Sequence, residues 1–254
     1  MDKDLLNAVE EAIEYMRNHL EADITSEELA DKYCYSTYHF LRAFKEVTGV
    51  TPRHFLSALR IDASKQILFT PSSSILKTLL SVGYKSIGSY SSKFKQYVGQ
   101  SPKKFKSEFE LLYHFINLYK DKKSYQTLPI AFSAITCHIK APPNFNGLVF
   151  VGLFPRPIPD QKPIEGTVLL NEGICTFTHV PKGTYYILAA AIHWSKNPKD
   201  YFILDKSLRG KFEQPIVVGD DTMIEAEILL RDPRPYDPPI LINLPLLLLE
   251  KDRK

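Results

Sequence analysis

Apolar and polar positions change rhythm once along the chain. Up to roughly residue 125 apolar side chains return every three or four positions: Val9, Ile13, Met16 and Leu20, later Phe55, Leu59, Ala63 and Ile67. That period places them along one face of a helix. Beyond it the apolar runs are short, β-branched or aromatic, and cut by Gly and Pro: "IAFSAITCHI", "LVFVGLF", "TVLL", "ICTFTHV", "TYYILAAAIHW", "YFIL", "PIVV", "MIEAEILL" and "ILINLPLLLL". Such runs predict the strands of a β-sandwich or barrel. Of 18 prolines, only Pro52, Pro71 and Pro102 precede the change. The polar "DKKSYQT", Asp121 to Thr127, reads as a linker. The expected organisation is therefore two-domain, α + β: an all-α domain over 1–120, a linker over 121–127, and an all-β domain over 128–254.

Local signals mark where the helices start and stop. Thr25 with Glu28 forms a capping-box pattern ahead of Leu29 and Ala30. Ser36 can cap a second helix and Gly49 can end it. Thr51-Pro52 then opens a long helix, about 52–69, with proline at its first position. "TPSSS" closes that helix. A second round follows: a short helix over Ser74–Ser81, a turn at Gly83, a helix from Ser86 to Val98, and a stop at Gly99. Ser101-Pro102 opens the last helix, toward Tyr119.

The two rounds share residues as well as rhythm. In "AFKEVTGVTPRHF", Ala43 to Phe55, the residues Phe44, Lys45, Gly49, Pro52 and Phe55 recur in "KFKQYVGQSPKKF", Lys93 to Phe105, as Phe94, Lys95, Gly99, Pro102 and Phe105. Each round reads as a helix-turn-helix followed by a supporting helix. The phenylalanines are expected inside and the lysines outside.

Charge sharpens this picture. The net charge is +3, yet residues 1–31 hold two basic and ten acidic residues, and 32–106 hold thirteen basic residues against Glu46 and Asp62 alone. A basic stretch of that kind marks a polyanion partner. The acidic start is a further contact candidate for it; a solvated helix face is the simpler reading. That start lacks the order of a signal peptide, and no apolar run approaches the roughly 18–20 residues of a membrane span. The expectation is a cytoplasmic protein with no membrane partner. Cys34, Cys137 and Cys175 form no CxxC, and the seven histidines are scattered. No disulfide framework, metal site or cofactor is expected, and each cysteine reads as a small buried residue.

"SEELADKYCYSTYHFLRAFKEVTGVTPRHFLSALRIDASKQIL" and "SILKTLLSVGYKSIGSYSSKFKQYVGQSPKKFK" resemble the DNA-binding domain of the AraC/XylS family over about the first 110 residues. The resemblance implies seven helices, two helix-turn-helix subdomains, double-stranded DNA as partner, usually transcriptional activation, and often contact with RNA polymerase. It assigns base reading in the first unit to Thr37, Tyr38, Leu41 and Arg42. Arg42 could pair bidentately with guanine and Leu41 offer only apolar contact. In the second unit the corresponding face is Ile87, Gly88, Ser89 and Ser92. It departs from the pattern, with Ser92 where arginine is common and with Thr78 and Leu79 in the preceding helix. Lys45, Arg53, Lys65, Lys85, Lys93, Lys95, Lys103 and Lys104 are phosphate-contact candidates, which position but do not specify. The first unit is thus expected to discriminate bases and the second to clamp the backbone.

In the second half, "GICTFTHVPKGTYYILAA", with "PIEGTVLL" before it, resembles a hairpin of transthyretin-like and carboxypeptidase-regulatory-like Greek-key sandwiches. A strand ending at Val180, a "PKG" turn and a return strand from Tyr185 are expected. Tyr185, Tyr186, His193 and Trp194 are candidates for a small-molecule effector pocket; core packing is the plainer reading. Dimerisation is an alternative role, and "RDPRPYDPPIL", Arg231 to Leu241, reads as a rigid crossing or partner-facing segment. An enzyme is not expected. Asp220, Asp221, Glu225 and Glu227 with His179 and His193 show no nucleophile-base arrangement, and alternating Glu225 and Glu227 read as the wet face of a strand. A largely non-specific architectural DNA binder remains the alternative to a sequence-specific regulator.

Overall fold

The computed structural model describes residues 3–70, 72–119 and 134–252; the expected linker 121–127 and the start of the first expected strand lie outside them. Seven helices come first: α1 Lys3–Asn18, α2 Ser26–Lys32, α3 Thr37–Thr48, α4 Pro52–Leu68, α5 Ile75–Ser81, α6 Ile87–Val98 and α7 Pro102–Tyr119. Eight strands and a short helix follow: β1 Ala134–Lys140, β2 Gly147–Phe154, β3 Glu165–Leu170, β4 Gly173–Thr178, β5 Gly183–His193, β6 Leu208–Lys211, β7 Ile216–Val218, β8 Met223–Leu229 and α8 Leu244–Asp252. The chain forms two compact units. One comprises Met1–Ser107 with Arg234–Ile242, the other Glu108–Pro233 with Asn243–Lys254. The division falls inside α7, and each unit takes in a piece from far along the chain.

The helix ends follow the local chemistry. The Thr25 hydroxyl accepts from Glu28 N at 3.1 Å, and Glu28 Oε2 accepts from Thr25 N at 2.9 Å. Reciprocal caps of this type contribute about 1 kcal/mol. Ser36, Thr51, Ser74 and Ser86 each accept from the backbone N–H three residues on. Gly49 and Gly99 end α3 and α6 in the left-handed region, at φ 80° and 93°.

The sequence repeat is a repeat of packing. Phe44 and Phe55 meet edge-to-face at 5.6 Å, and Phe94 and Phe105 do the same at 5.5 Å. Phe40 lies 5.9 Å from Phe44, and its counterpart Tyr90 lies 5.7 Å from Phe94. All six rings are buried. Edge-to-face pairs contribute about 0.5–1.5 kcal/mol beyond the area they bury. Thr78, the polar residue at an apolar position, is accommodated because its hydroxyl donates to the Ser74 carbonyl at 2.9 Å.

The turns inside the two helix pairs differ in one residue. Each needs one residue in the left-handed region; Gly83 supplies it between α5 and α6 (φ 79°), and Cys34 between α2 and α3 (φ 60°). Cys34 is exposed, which corrects its expected burial; a turn residue with its side chain directed away from the core has nothing to pack against. Cys137 and Cys175 are buried as expected, opposite one another on β1 and β4.

The second unit holds a three-stranded sheet, β4-β1-β8, and a larger one, β3-β2-β5-β6, with β7 also pairing β5. One cluster of buried side chains draws on both sheets, including Ile135, Cys137, Val149, Ile187 and Ile228. Three expectations fail here. The expected hairpin across "PKG" is absent, because β4 pairs β1 while β5 pairs β2: the turn carries the chain from one sheet to the other. "YFIL" is not a strand; its Tyr201 ends a 3-10 turn, Pro198–Tyr201, and Tyr201 and Phe202 meet Tyr113 and Phe109 of α7. The end of "ILINLPLLLL" is helical, because Asn243 caps α8 with its side-chain oxygen. Lys251 of α8 donates to the Gly166 carbonyl and the Thr167 hydroxyl of β3.

Candidate nucleic-acid interface

On α3, Tyr38 is 78% exposed, Arg42 is exposed, and Thr37 and Leu41 are half-buried. On α6, Ile87 is 54% exposed, and Gly88, Ser89 and Ser92 are exposed. Both sets lie where the buried Phe40–Phe44 and Tyr90–Phe94 pairs do not, so the residues named for base reading are on open helix faces apart from the half-buried Thr37 and Leu41. The Ser89 hydroxyl is partly engaged by its own cap, 2.8 Å from Ser86 Oγ.

The backbone candidates divide. Lys45, Arg53, Lys95, Lys103 and Lys104 are exposed. Lys85 is exposed but bound to Asp23 at 2.7 Å, and its ammonium holds that carboxyl below the usual carboxylate range. This is one point at which the acidic start meets the basic stretch. Lys93 is half-buried; its Nζ donates to Gln96 Oε1 at 3.1 Å and lies 4.8 Å from the centre of the Tyr97 ring.

Lys65 is a correction. It is fully buried, its ammonium donates to the Ile240 carbonyl at 3.1 Å, and Asp62 lies 3.7 Å away. It cannot reach a phosphate. The reason is "RDPRPYDPPIL", Arg231 to Leu241, expected to cross a sheet edge or meet a partner: Arg231 bridges Arg209 of edge strand β6, and from Arg234 to Ile242 the chain belongs to the helical unit, with Ile240, Leu241 and Ile242 buried. No signal near Lys65 in sequence announces a carbonyl 175 positions away.

The four aromatic residues named for an effector pocket are not gathered. Tyr185 and Tyr186 are neighbours at the start of β5, so they point to opposite faces. His193 ends the same 11-residue strand, roughly 26 Å along it. Tyr185 is in the core, and His193 lies 4.8 Å from Phe145, with Trp194 N donating to the Asn146 carbonyl. Glu225 and Glu227 alternate with buried Ala226 and Ile228 on β8, a strand with one wet face.

The helical unit also contains a cleft of about 800 Å³ that sequence reasoning missed. It lies among the α1–α2 loop, the start of α4, Tyr84 and α6. Burial pushes the Tyr84 phenol up.

Each of the two helix pairs thus presents a capped second helix with an exposed, acid-poor face. Residues 29–108 match the family described as a helix-turn-helix domain, of the AraC type. The chain is 36% identical over 93 residues to the MmsAB operon regulatory protein of Pseudomonas aeruginosa, a match covering 36% of this chain and 30% of that protein. It is 29% identical over 100 residues to an uncharacterized HTH-type transcriptional regulator of Staphylococcus aureus, covering 39% of this chain and 13% of that one. Among solved structures, the DNA-binding domain of AdpA in complex with a target DNA aligns with 23% identity and a TM-score of 0.39, over 41% of this chain and 93% of that one. The match thus spans less than a third of the length of these curated relatives. Among the described residues no helix is long and apolar enough to cross a membrane.

Proposed function

We propose that the protein is a sequence-specific DNA-binding transcriptional regulator that inserts α3 and α6 into successive major grooves on one face of the duplex. The observation that carries this reading is the duplicated helix pair, with the same ring packing inside and a carboxylate-poor basic surface outside. The connecting α4 has 17 residues, or about 25 Å at 1.5 Å per residue. That is of the order of the roughly 34 Å between successive grooves. A single chain could then read an asymmetric site without a palindrome.

Within this reading Arg42 pairs with guanine, Tyr38 and Leu41 add sugar or methyl contact, and Lys45, Arg53, Lys95, Lys103 and Lys104 hold phosphates. The second unit offers Ile87, Gly88, Ser89 and Ser92, none of which makes a bidentate contact, so it clamps more than it reads. The same observation favours the second reading, a largely non-specific binder, if Arg42 too proves indifferent to sequence. Activation through RNA polymerase follows the family resemblance, and the β-rich unit, read as a Greek-key sandwich, has a regulatory or oligomerisation role. The test is selection of bound sites from random DNA at fixed salt. One strong half-site matching α3 supports the reading, two equally informative half-sites overturn the division of labour, and no enrichment overturns sequence specificity.

A further inference from the structure

The cleft in the helical unit has a composition that phosphate contact alone does not explain. Its volume, about 800 Å³, is within the range of small-molecule sites, and a single phosphodiester oxygen pair needs far less. Around it stand four basic side chains, Arg53, His54, Arg60 and Lys93, against one carboxylate, Asp23, which Lys85 already neutralises. Their roles differ. Arg60 is held in place, donating to the Leu20 and Ala22 carbonyls at 2.8 Å each. The exposed Arg53 guanidinium has no hydrogen bond or ion pair among the described residues, so its five donors remain open. The rest of the lining mixes the hydroxyls of Thr25, Ser26, Thr51 and Ser57 with Ile24, Leu56, Tyr84 and Tyr97. Tyr97 and Leu56 are buried behind it, the His54 ring lies nearly parallel to Tyr97 at 5.8 Å, and Ile24, His54 and Tyr84 are half-buried.

Basic side chains beside half-buried His54 and Tyr84 rings recognise an acid carried on a flat apolar body. We propose that this cleft is an effector site for a small organic anion, a carboxylate or phosphate monoester borne on an aromatic ring. The anion pairs with Arg53 and Lys93, and the ring lies against the half-buried Ile24, His54 and Tyr84 side chains. The cleft is walled by α4 on one side and α6 on the other, so an occupant that touches both adjusts the angle of α6 relative to α3. Its binding is therefore coupled to DNA affinity. The coupling clause rests on the DNA-binding reading above; the site itself does not.

The experiment is calorimetric titration of the full chain, without DNA, with phenyl phosphate, benzoate, inorganic phosphate and phenol. The expected result is one site per chain for phenyl phosphate or benzoate, with Kd below about 1 mM, and at least about tenfold weaker binding of inorganic phosphate and of phenol. Arg53→Ala and Lys93→Ala should each weaken the aromatic anion about tenfold with an unchanged circular dichroism melt, while Lys77→Ala, at an exposed lysine outside the cleft, leaves it unaltered. Inorganic phosphate binding as tightly as phenyl phosphate would reduce the cleft to a phosphate rest for the DNA backbone and overturn the proposal. Absence of saturable binding up to about 10 mM would overturn it equally. A gel-shift arm with the selected DNA site reads the coupling: an affinity change on adding the bound anion supports it, and none refutes it. Failure of the protein to shift any DNA strikes the functional reading and leaves the calorimetric result for the cleft intact.

Discussion

Lys65 offers the sharpest test of the physical reasoning. Its ammonium is fully buried, with the Ile240 carbonyl at 3.1 Å and Asp62, itself 11% exposed at its side chain, at 3.7 Å. Lys65→Met keeps the length of the side chain and removes the charge. The carbonyl then loses a donor, a cost of about 1–3 kcal/mol. The carboxylate loses its cation, and breaking a buried pair from one side costs about 3–5 kcal/mol. The two terms overlap, so the expected loss is about 3–4 kcal/mol. The double variant Asp62→Leu/Lys65→Met removes both charges and should recover most of that, because the penalty comes chiefly from the stranded partner. The assay is urea denaturation of the full chain followed by circular dichroism at 222 nm, which reports mainly the helices. DNA binding is measured in parallel against salt. A residue held inside should leave the salt slope unchanged at concentrations where the variant is folded. A stability loss under about 1 kcal/mol with a salt slope reduced by about one unit would mean that Lys65 reaches a phosphate and is not held inside the fold.

Four further outcomes follow. Arg42→Ala should relax base preference at its position with a cost of about 1–3 kcal/mol on the preferred site, whereas Lys95→Ala should weaken all sequences alike and lower the salt slope by about one; competitive gel shifts at several salt concentrations separate the two. Cys34→Gly should stabilise the protein by about 0.5–1 kcal/mol, read as a higher urea midpoint, because glycine occupies φ 60° without the side-chain clash. Gly83→Ala should do the opposite and more strongly, since a Cβ there would stand 2.4 Å from the Leu20 carbonyl oxygen as well as at φ 79°. Burial pushes the Tyr90 phenol up to about 12, so the folded state keeps a proton that the unfolded chain releases above about 10. Stability from this group is complete below pH 10 and is lost as pH rises toward 12, by about 3 kcal/mol in all; Tyr90→Phe should flatten that loss in alkaline denaturation curves.

Much of the helical unit was legible because its signals are short-range. A hydroxyl three residues before an N–H, a proline at the first turn and a glycine at the last act over one helical turn, so Thr25, Ser36, Thr51 and Gly99 can be read without knowing what lies beside them. The repeat made Phe44, Phe55, Phe94 and Phe105 identifiable as core because duplication preserves packing. The open faces bearing Tyr38, Arg42, Ile87 and Ser92 were legible for the same reason: helix period assigns a face once its opposite is known to be buried. The β-rich half was less so. Short apolar runs marked most of its strands but not β6, whose "LRGK" carries one apolar side chain. Conversely, "YFIL" and "PLLLL" have the composition of strands and form a turn and a helix, since capping by Asn197 and Asn243 outweighs strand propensity.

Taken alone, the chain's order of residues determined the helices and their ends, the duplicated packing, and the concentration of positive charge in one stretch. All of these depend on interactions within a few positions or on composition. Only the tertiary structure decided that the strands either side of "PKG" go to different sheets, that Lys65 faces a carbonyl from the far end of the chain and not the solvent, and that side chains from the α1–α2 loop, α4 and α6 line a basic cleft. Each of these joins groups distant in sequence. Burial and pairing at such sites are set by what the fold brings alongside, and no local pattern of residues encodes that neighbour.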